Sequence, residues 1–235
     1  MSVIVLENVS KIFNQGRPNE VVAVKDVSLD IKQGEIAVLK GPSGSGKTSL
    51  LGLAGCMSRP TAGKIVVNGR DVAKLPEHFL TEIRRNIFGF IFQQFNLIPG
   101  ITVLENVMLP LYPTERRLSE IRKMAEAVIE SLGLSKRKHF PVQGLSGGEQ
   151  QRVAISRSLV NNPEMILADE PTAHLDSKLS EELIGILRRL NTEGKTIVIA
   201  THDPLVYNRD CIHRVFEMRD GKIMGMAEPR GLADS

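Results

Sequence analysis

The 235-residue chain has little of what marks several protein classes. It carries two cysteines, Cys56 and Cys211, with no C-x-x-C spacing and no partner histidine pattern. A disulfide framework and a thiolate metal site are therefore excluded, and reduced, cytosolic thiols are expected. No apolar run approaches the roughly 18 residues needed to span a bilayer. Glu7 stands inside the stretch where an export signal would place its apolar segment. The chain is thus expected to be soluble, with any membrane role arriving through another chain. Internal repeats and low-complexity tracts are missing too. Charge of one sign is scarce: 30 basic against 27 acidic residues leave +3, too little to argue for a nucleic-acid partner. The triplet Lys136-Arg137-Lys138 reads as a solvated loop.

What is present is an ordinary globular composition, 42% hydrophobic and 24% charged. The length suits one large domain or one domain with a lobe. Val3–Leu6 and Val21–Val24 read as strands, and Val27, Leu29 and Ile31 alternate with polar neighbours at the strand period. Residues 15–19 form a turn between them. Glu35–Leu39 is a short apolar strand, residues 48–55 a helix, and Lys64–Val67 a strand closed by Asn68-Gly69. The middle, about Phe95 to Ser158, reads as an inserted helical lobe, with Ile121, Met124, Ala125, Val128 and Ile129 at helical spacing. Met165–Ala168 and Thr196–Ala200 read as buried parallel strands with a helix, Ser180–Leu190, between them. Residues 214–226 read as a closing hairpin, and Met218, Met224 and Met226 as core filler. Strands alternating with helices imply an α/β layer fold.

Gly41-Pro42-Ser43-Gly44-Ser45-Gly46-Lys47-Thr48 fits G-x-x-x-x-G-K-[ST], the phosphate loop. Glycines let backbone N–H groups turn toward an anion, and the following helix aims its positive end at the same spot. Lys47 would reach the β- and γ-phosphates, and the Thr48 hydroxyl would take a place on Mg²⁺. Chance produces this pattern in on the order of 1% of chains this long, and the preceding apolar strand and following helix lower that further. Farther on, Met165–Ala168 runs into two carboxylates. Asp169 at the strand tip can hold Mg²⁺ through a water, and Glu170, pointed elsewhere by strand alternation, can act as general base for an attacking water.

Leu145-Ser146-Gly147-Gly148-Glu149-Gln150-Gln151-Arg152 is the most informative stretch. Ser146 and Glu149 make a capping box at a helix start. That does not explain two glycines in the first turn, each weakening the helix by about 1 kcal/mol. Close backbone approach to a phosphate would, and a second anion-binding helix start suggests a nucleotide shared between two molecules.

With these motifs the chain resembles the ATP-binding-cassette family over essentially its whole length. The octapeptide matches the family signature, and the remaining motifs follow in order. Gln93, in Gly89-Phe-Ile-Phe-Gln93, matches the Q-loop glutamine that links nucleotide to the membrane partner, and joins Thr48 and Asp169 as an implied metal ligand. Asp176, in Ala173-His174-Leu175-Asp176, lies in the D-loop. His202 matches the switch histidine that reads the γ-phosphate, and Phe13 stands where the family stacks an aromatic, more often Tyr, on adenine. The implied nucleotide set is Phe13, Gly41–Ser49, Ser146–Glu149 and Asp176, with Glu170, His202, Lys47 and Gln93 as the catalytic group.

The resemblance implies a P-loop NTPase fold: a RecA-like core with an antiparallel β subdomain and the helical lobe. It implies one nucleotide-binding domain over residues 1–235, the core being about 1–94 and 159–235 and the helical subdomain about 95–158. It implies an ATPase using ATP and Mg²⁺, pairing head-to-tail with a second copy of itself around two ATP. It further implies transmembrane permease partners and a peripheral place on the inner membrane face. Residues 55–63 and the run following Gly89 look like the lipoprotein-release and macrolide-export group, so export or extraction of hydrophobic cargo is expected. The alternative is an ATPase driving a membrane regulator of envelope or cell-division enzymes. His174 and an extra Gly144 depart from that group's pattern. Without a heptad run between phosphate loop and signature, a DNA-repair or chromosome-structuring head is disfavoured. A small-molecule kinase would not need the signature. His78, His139 and His213 lack metal-ligand spacing.

Overall fold

The computed structural model describes residues 1–173 and 175–228; His174 lies outside the described residues. Two long strands, β1 (Ser2–Phe13) and β2 (Val21–Lys32), and a short one, β3 (Ile36–Lys40), begin the chain, followed by α1 (Lys47–Ala54). Then come β4 (Ala62–Val67), β5 (Arg70–Asp71), α2 (Glu77–Ile87) and β6 (Phe88–Ile91). Three helices follow, α3 (Val103–Met108), α4 (Leu118–Ser131) and α5 (Gly147–Leu159). The chain continues with β7 (Met165–Asp169), α6 (Ser177–Thr192), β8 (Thr196–Thr201) and α7 (Pro204–Tyr207). The hairpin β9 (Arg214–Arg219) and β10 (Lys222–Ala227) ends the described chain.

The strands form two sheets. One is antiparallel, in the order β2-β1-β4-β5; the other runs β10-β9-β3-β8-β7-β6 and is parallel except for β10. In the parallel sheet side chains alternate between two cores, as the strand period requires. Ala37, Leu39, Met165, Leu167, Val198 and Ala200 face α1 and the antiparallel sheet. Ile36, Val38, Ile166, Ala168, Ile197 and Ile199 face Leu183, Leu187 and Leu190 of α6. A third cluster joins α3, α4 and α5 through Val107, Ile121, Ala125, Ile129 and Val153.

The two apolar runs 21–24 and 27–31 are one strand, β2, with Asp26 at φ +51° between them. The methionine expectation fails for two of three. Met218 is fully buried, whereas Met224 and Met226 stand exposed on β10, the edge strand, where one face has no layer over it. The helix α2 and strand β6 had no reading in the sequence. A helical period was nevertheless present in α2, where Leu80, Ile83 and Ile87 recur three and four residues apart and pack on the first core.

Candidate nucleotide-binding site

The site stands at the carboxyl ends of the parallel strands, where open α/β sheets offer a crevice. The loop after β3 supplies residues 43–46 and the start of α1 Lys47, Thr48 and Ser49. The segment after β6 supplies Gln93, the turn after β7 Glu170, and the end of β8 His202. Together with Val21, Val22 and Ala23 of β2 they line a cleft of about 290 Å³.

Gly46 sits at the helix start with φ +97°, and a Cβ there would fall 2.3 Å from the Ala23 carbonyl oxygen. Only glycine fits. No side chain caps α1, and among the described residues no protein acceptor takes the N–H groups of Gly46, Lys47, Thr48 or Ser49. The Ser45 hydroxyl is also buried without a partner among the described residues. Uncompensated donors at the positive end of a helix fit an anion such as a polyphosphate.

Lys47 is buried. Its Nζ donates to the carbonyls of Gly41 and Pro42 at 2.9 and 3.0 Å and lies 3.3 Å from Glu170 Oε1. The Thr48 hydroxyl donates to Asp169 Oδ1 at 3.0 Å. Burial pushes the Asp169 carboxyl up, opposed by that bond, while the neighbouring Glu170 charge adds to the rise. Threonine and carboxylate oxygens side by side suit a hard cation such as Mg²⁺.

Glu170 does not follow the strand alternation. The strand ends at Asp169, and Glu170 takes φ +43°, which folds its carboxylate back over the cleft. There Oε1 meets His202 Nδ1 at 3.0 Å and Oε2 accepts from the Thr201 hydroxyl at 3.2 Å. Next to it, the Thr172 hydroxyl donates to Asp203 Oδ2 at 2.8 Å.

The signature stretch stands apart from this cleft. Ser146 caps α5, its hydroxyl accepting from Glu149 N at 3.3 Å and its own N–H donating to Glu149 Oε2 at 3.0 Å. That backbone bond, aided by Arg137, holds the Glu149 carboxyl below its usual range. The two glycines differ. A Cβ on Gly148 would meet Leu179 Cδ2 at 2.5 Å, so packing against α6 explains that glycine, while Gly147 opens on free space. Asp176 caps α6, accepting from Leu179 N at 2.8 Å. Phe13 is half-exposed beneath the Lys11 ammonium, paired in register with Val21 but outside the cleft lining. Gly144 ends a short 3-10 turn, Val142–Gly144.

Sequence reading missed Val21, Val22, Ala23, Thr172, Thr201 and Asp203. The valines read as ordinary strand residues, and the hydroxyls gain their role only from contacts across the sheet.

A family model described as "ABC transporter" matches residues 24–173. An "Uncharacterized ABC transporter ATP-binding protein" of Thermotoga maritima is 43% identical over 231 residues, 98% of this chain and 97% of the relative. The "Macrolide export ATP-binding/permease protein MacB" of Hyphomonas neptunium is 45% identical over 94% of this chain, which spans 34% of that longer protein. Among solved structures, the dimeric MJ0796 cassette superposes with TM-score 0.87 at 42% identity, covering 97% of this chain and 100% of that one. A second MJ0796 structure, described as a dimeric post-hydrolysis state bound to ADP and Pi, matches at TM-score 0.87 and 41% identity. With the phosphate loop, the paired carboxylates and the signature on one such fold, the chain belongs to the ABC transporter family, as an ATP-binding, ATP-hydrolysing cassette.

Proposed function

We propose that the chain is the energy-coupling subunit of a membrane transporter and works as a head-to-tail pair, each ATP lying between the phosphate loop of one copy and Ser146–Glu149 of the other. One observation carries this reading. The uncapped start of α1 and the capped start of α5, with Gly147 open to space, belong to one chain but to separate surfaces. Two-fold pairing would bring one of each together twice, and the MJ0796 relatives are dimers.

In this reading the N–H groups of Gly46–Ser49 and the Lys47 ammonium hold the phosphates, with Phe13 beside the adenine. Thr48, Asp169 and Gln93 would hold Mg²⁺, which when bound neutralises phosphate charge. Glu170 takes the proton of the attacking water, and His202 donates to the γ-phosphate. Asp176 approaches the shared nucleotide from across the pair. Since Glu170 Oε1 lies 3.3 Å from Lys47 Nζ, a phosphate that engages Lys47 would compete with the base for the same ammonium. Loss of phosphate then opens the pair, and closure and opening drive the partners.

The partners are transmembrane permease subunits. Among the described residues no helix is long and apolar enough to cross a membrane, so attachment to the inner face of the membrane falls to them. A groove of about 480 Å³ between α2, β6 and the helical segment, with Met57, Arg84, Phe88, Phe90, Pro110 and Arg157 in its walls, offers apolar and cationic contacts for such a chain. The MacB relative, named as a macrolide exporter, supports a transporter role, and hydrophobic cargo is the class this reading adds. The helical subdomain, about residues 95–158, is the part expected to move against the core.

The test is a mixed dimer of one Lys47→Ala and one Ser146→Asp chain, purified through two different tags. Aspartate preserves the cap but places charge where phosphate would lie. Each parent should be inactive, and the mixture should recover up to half the wild-type ATPase rate from one intact pocket. Mixtures as inactive as the parents would refute the shared pocket.

A further inference from the structure

The helix that begins with the signature is tied to the turn that carries Glu170. Gln151, one turn into α5, is only 3% exposed. Its Nε2 donates to the Pro171 carbonyl at 3.2 Å. The carbonyl accepts only, so the amide must point its nitrogen there. Around it lie Ile155, Leu175, Leu179 and Leu183 beside the Arg152–Glu182 ion pair, and its Oε1 is buried without a partner among the described residues, so the bond to Pro171 is what offsets the cost of burying the amide.

What that bond holds is a strained turn. Glu170 at φ +43° occupies the left-handed region, disfavoured by roughly 1–2 kcal/mol for a side-chain-bearing residue. The proline after it further restricts it toward extended geometry. Such a conformation persists only where surrounding contacts over-determine it. Glu170 N donates to Ala200 O at 2.8 Å before the turn, Ala173 N returns to Glu170 O at 3.1 Å within it, and Thr172 is fixed to Asp203. The Gln151 bond at Pro171 reaches this turn from α5.

We infer that Gln151 is a positioning residue, coupling the signature turn of each chain to the Glu170 turn of the same chain. This deepens the shared-pocket reading and rests on it. Within a pair the two turns serve different ATP molecules, so the amide connects the two pockets through one chain. A phosphate engaging Ser146–Gly148 on one side would steady the start of α5, and through Gln151 the backbone that aims Glu170 on the other.

Gln151→Leu keeps the volume and removes the donor. It should lower kcat about tenfold, the scale set by a slight misplacement of a reacting group, while KM for ATP shifts less than twofold. Two mixed dimers separate coupling from general damage, each with one Glu170→Gln chain so that one pocket hydrolyses. In the first, Gln151→Leu shares the chain that keeps Glu170; in the second it lies on the Glu170→Gln chain. The same-chain mixture should run at least fivefold slower than the opposite-chain mixture. Equal rates, or a greater loss in the opposite-chain mixture, would overturn the inference. Failure of the shared-pocket reading has its own signature: the mixed pair of Lys47→Ala and Ser146→Asp chains would stay as inactive as its parents, and the inference would fall with it.

Discussion

Replacing Glu170 with glutamine should weaken the nucleotide-free protein and tighten nucleotide binding at once. The Lys47 ammonium and the Glu170 carboxylate lie 3.3 Å apart with side-chain exposures of 6% and 11%. Removing one partner of a buried pair costs about 3–5 kcal/mol when the survivor is left uncompensated. Here Lys47 keeps the Gly41 and Pro42 carbonyls, and glutamine still offers a carbonyl oxygen, so about 1.5 kcal/mol is expected. For a chain of this size that lowers the melting temperature by about 3–6 °C. A phosphate must displace Glu170 from the same ammonium, and the variant has no carboxylate to displace. The lost stability therefore returns on binding, as an affinity gain of about tenfold. Turnover should fall by about 10²–10⁴ through loss of the base. Calorimetric melting without nucleotide, titration with ADP, which cannot be hydrolysed further here, and phosphate release read the three effects. An unchanged melting temperature together with unchanged or weaker ADP binding would refute the competition for Lys47. A normal hydrolysis rate would refute the base.

Gly147→Ala should raise the melting temperature, because the site is open and alanine favours a helix by roughly 0.5–1 kcal/mol over glycine, yet lower ATPase activity by crowding the proposed phosphate face. A variant that gains stability and keeps full activity would leave Gly147 without that role. Burial would raise the Asp30 carboxyl, but bonds from Ser2 and Arg214 outweigh it and hold it below its ordinary 3.8. A lowered carboxylate stabilises above the ordinary value and loses this as pH falls through the folded one. The stability gap between wild type and Asp30→Asn, read by urea unfolding, should thus be widest near neutral pH and close below about pH 3.8. Burial pushes the Cys56 thiol up to about 11, while Cys211 is only partly buried. A maleimide at pH 7.5 (a value chosen near neutrality, well under about 8.5) should label Cys211 first in the folded protein, and mass mapping that finds Cys56 labelled first would contradict the packing around it.

Motifs were legible where the chemistry demands particular residues within a few positions of one another. The phosphate loop needs glycine where φ is positive and backbone must pass backbone, and Gly46 against Ala23 is such a place. The capping box at Ser146 is likewise local. What escaped depends on contacts between distant segments. At Gly148 the packing that also favours glycine was invisible, because Leu179 lies thirty-one residues away in sequence. Glu170 read as a residue on the opposite side of a strand because its left-handed backbone is imposed by the sheet around it. The exposure of Met224 and Met226 follows from β10 being an edge, and strand order is a property of the whole chain.

Topology also accounts for the proposed division of one chain into two half-sites. Neighbouring strands β3, β8, β7 and β6 run parallel, so the segments leaving their carboxyl ends meet at one edge although they lie far apart in sequence. That gathers the loop at 43–46, His202, Glu170 and Gln93 around one cleft. The helix α5 leads into the start of β7 and packs against β6, so it runs back along the sheet and returns its own N-terminus toward the same edge. The bond from Gln151 to Pro171 marks where it arrives, behind the turn that carries Glu170 rather than inside the cleft. A helix start delivered to the catalytic edge but outside the pocket has two means of influence. It can bind the nucleotide of another copy, and it can pull on the turn it touches. In the proposed pair the first would make the pocket depend on pairing, and the second would let the occupancy of one pocket reach the base of the other.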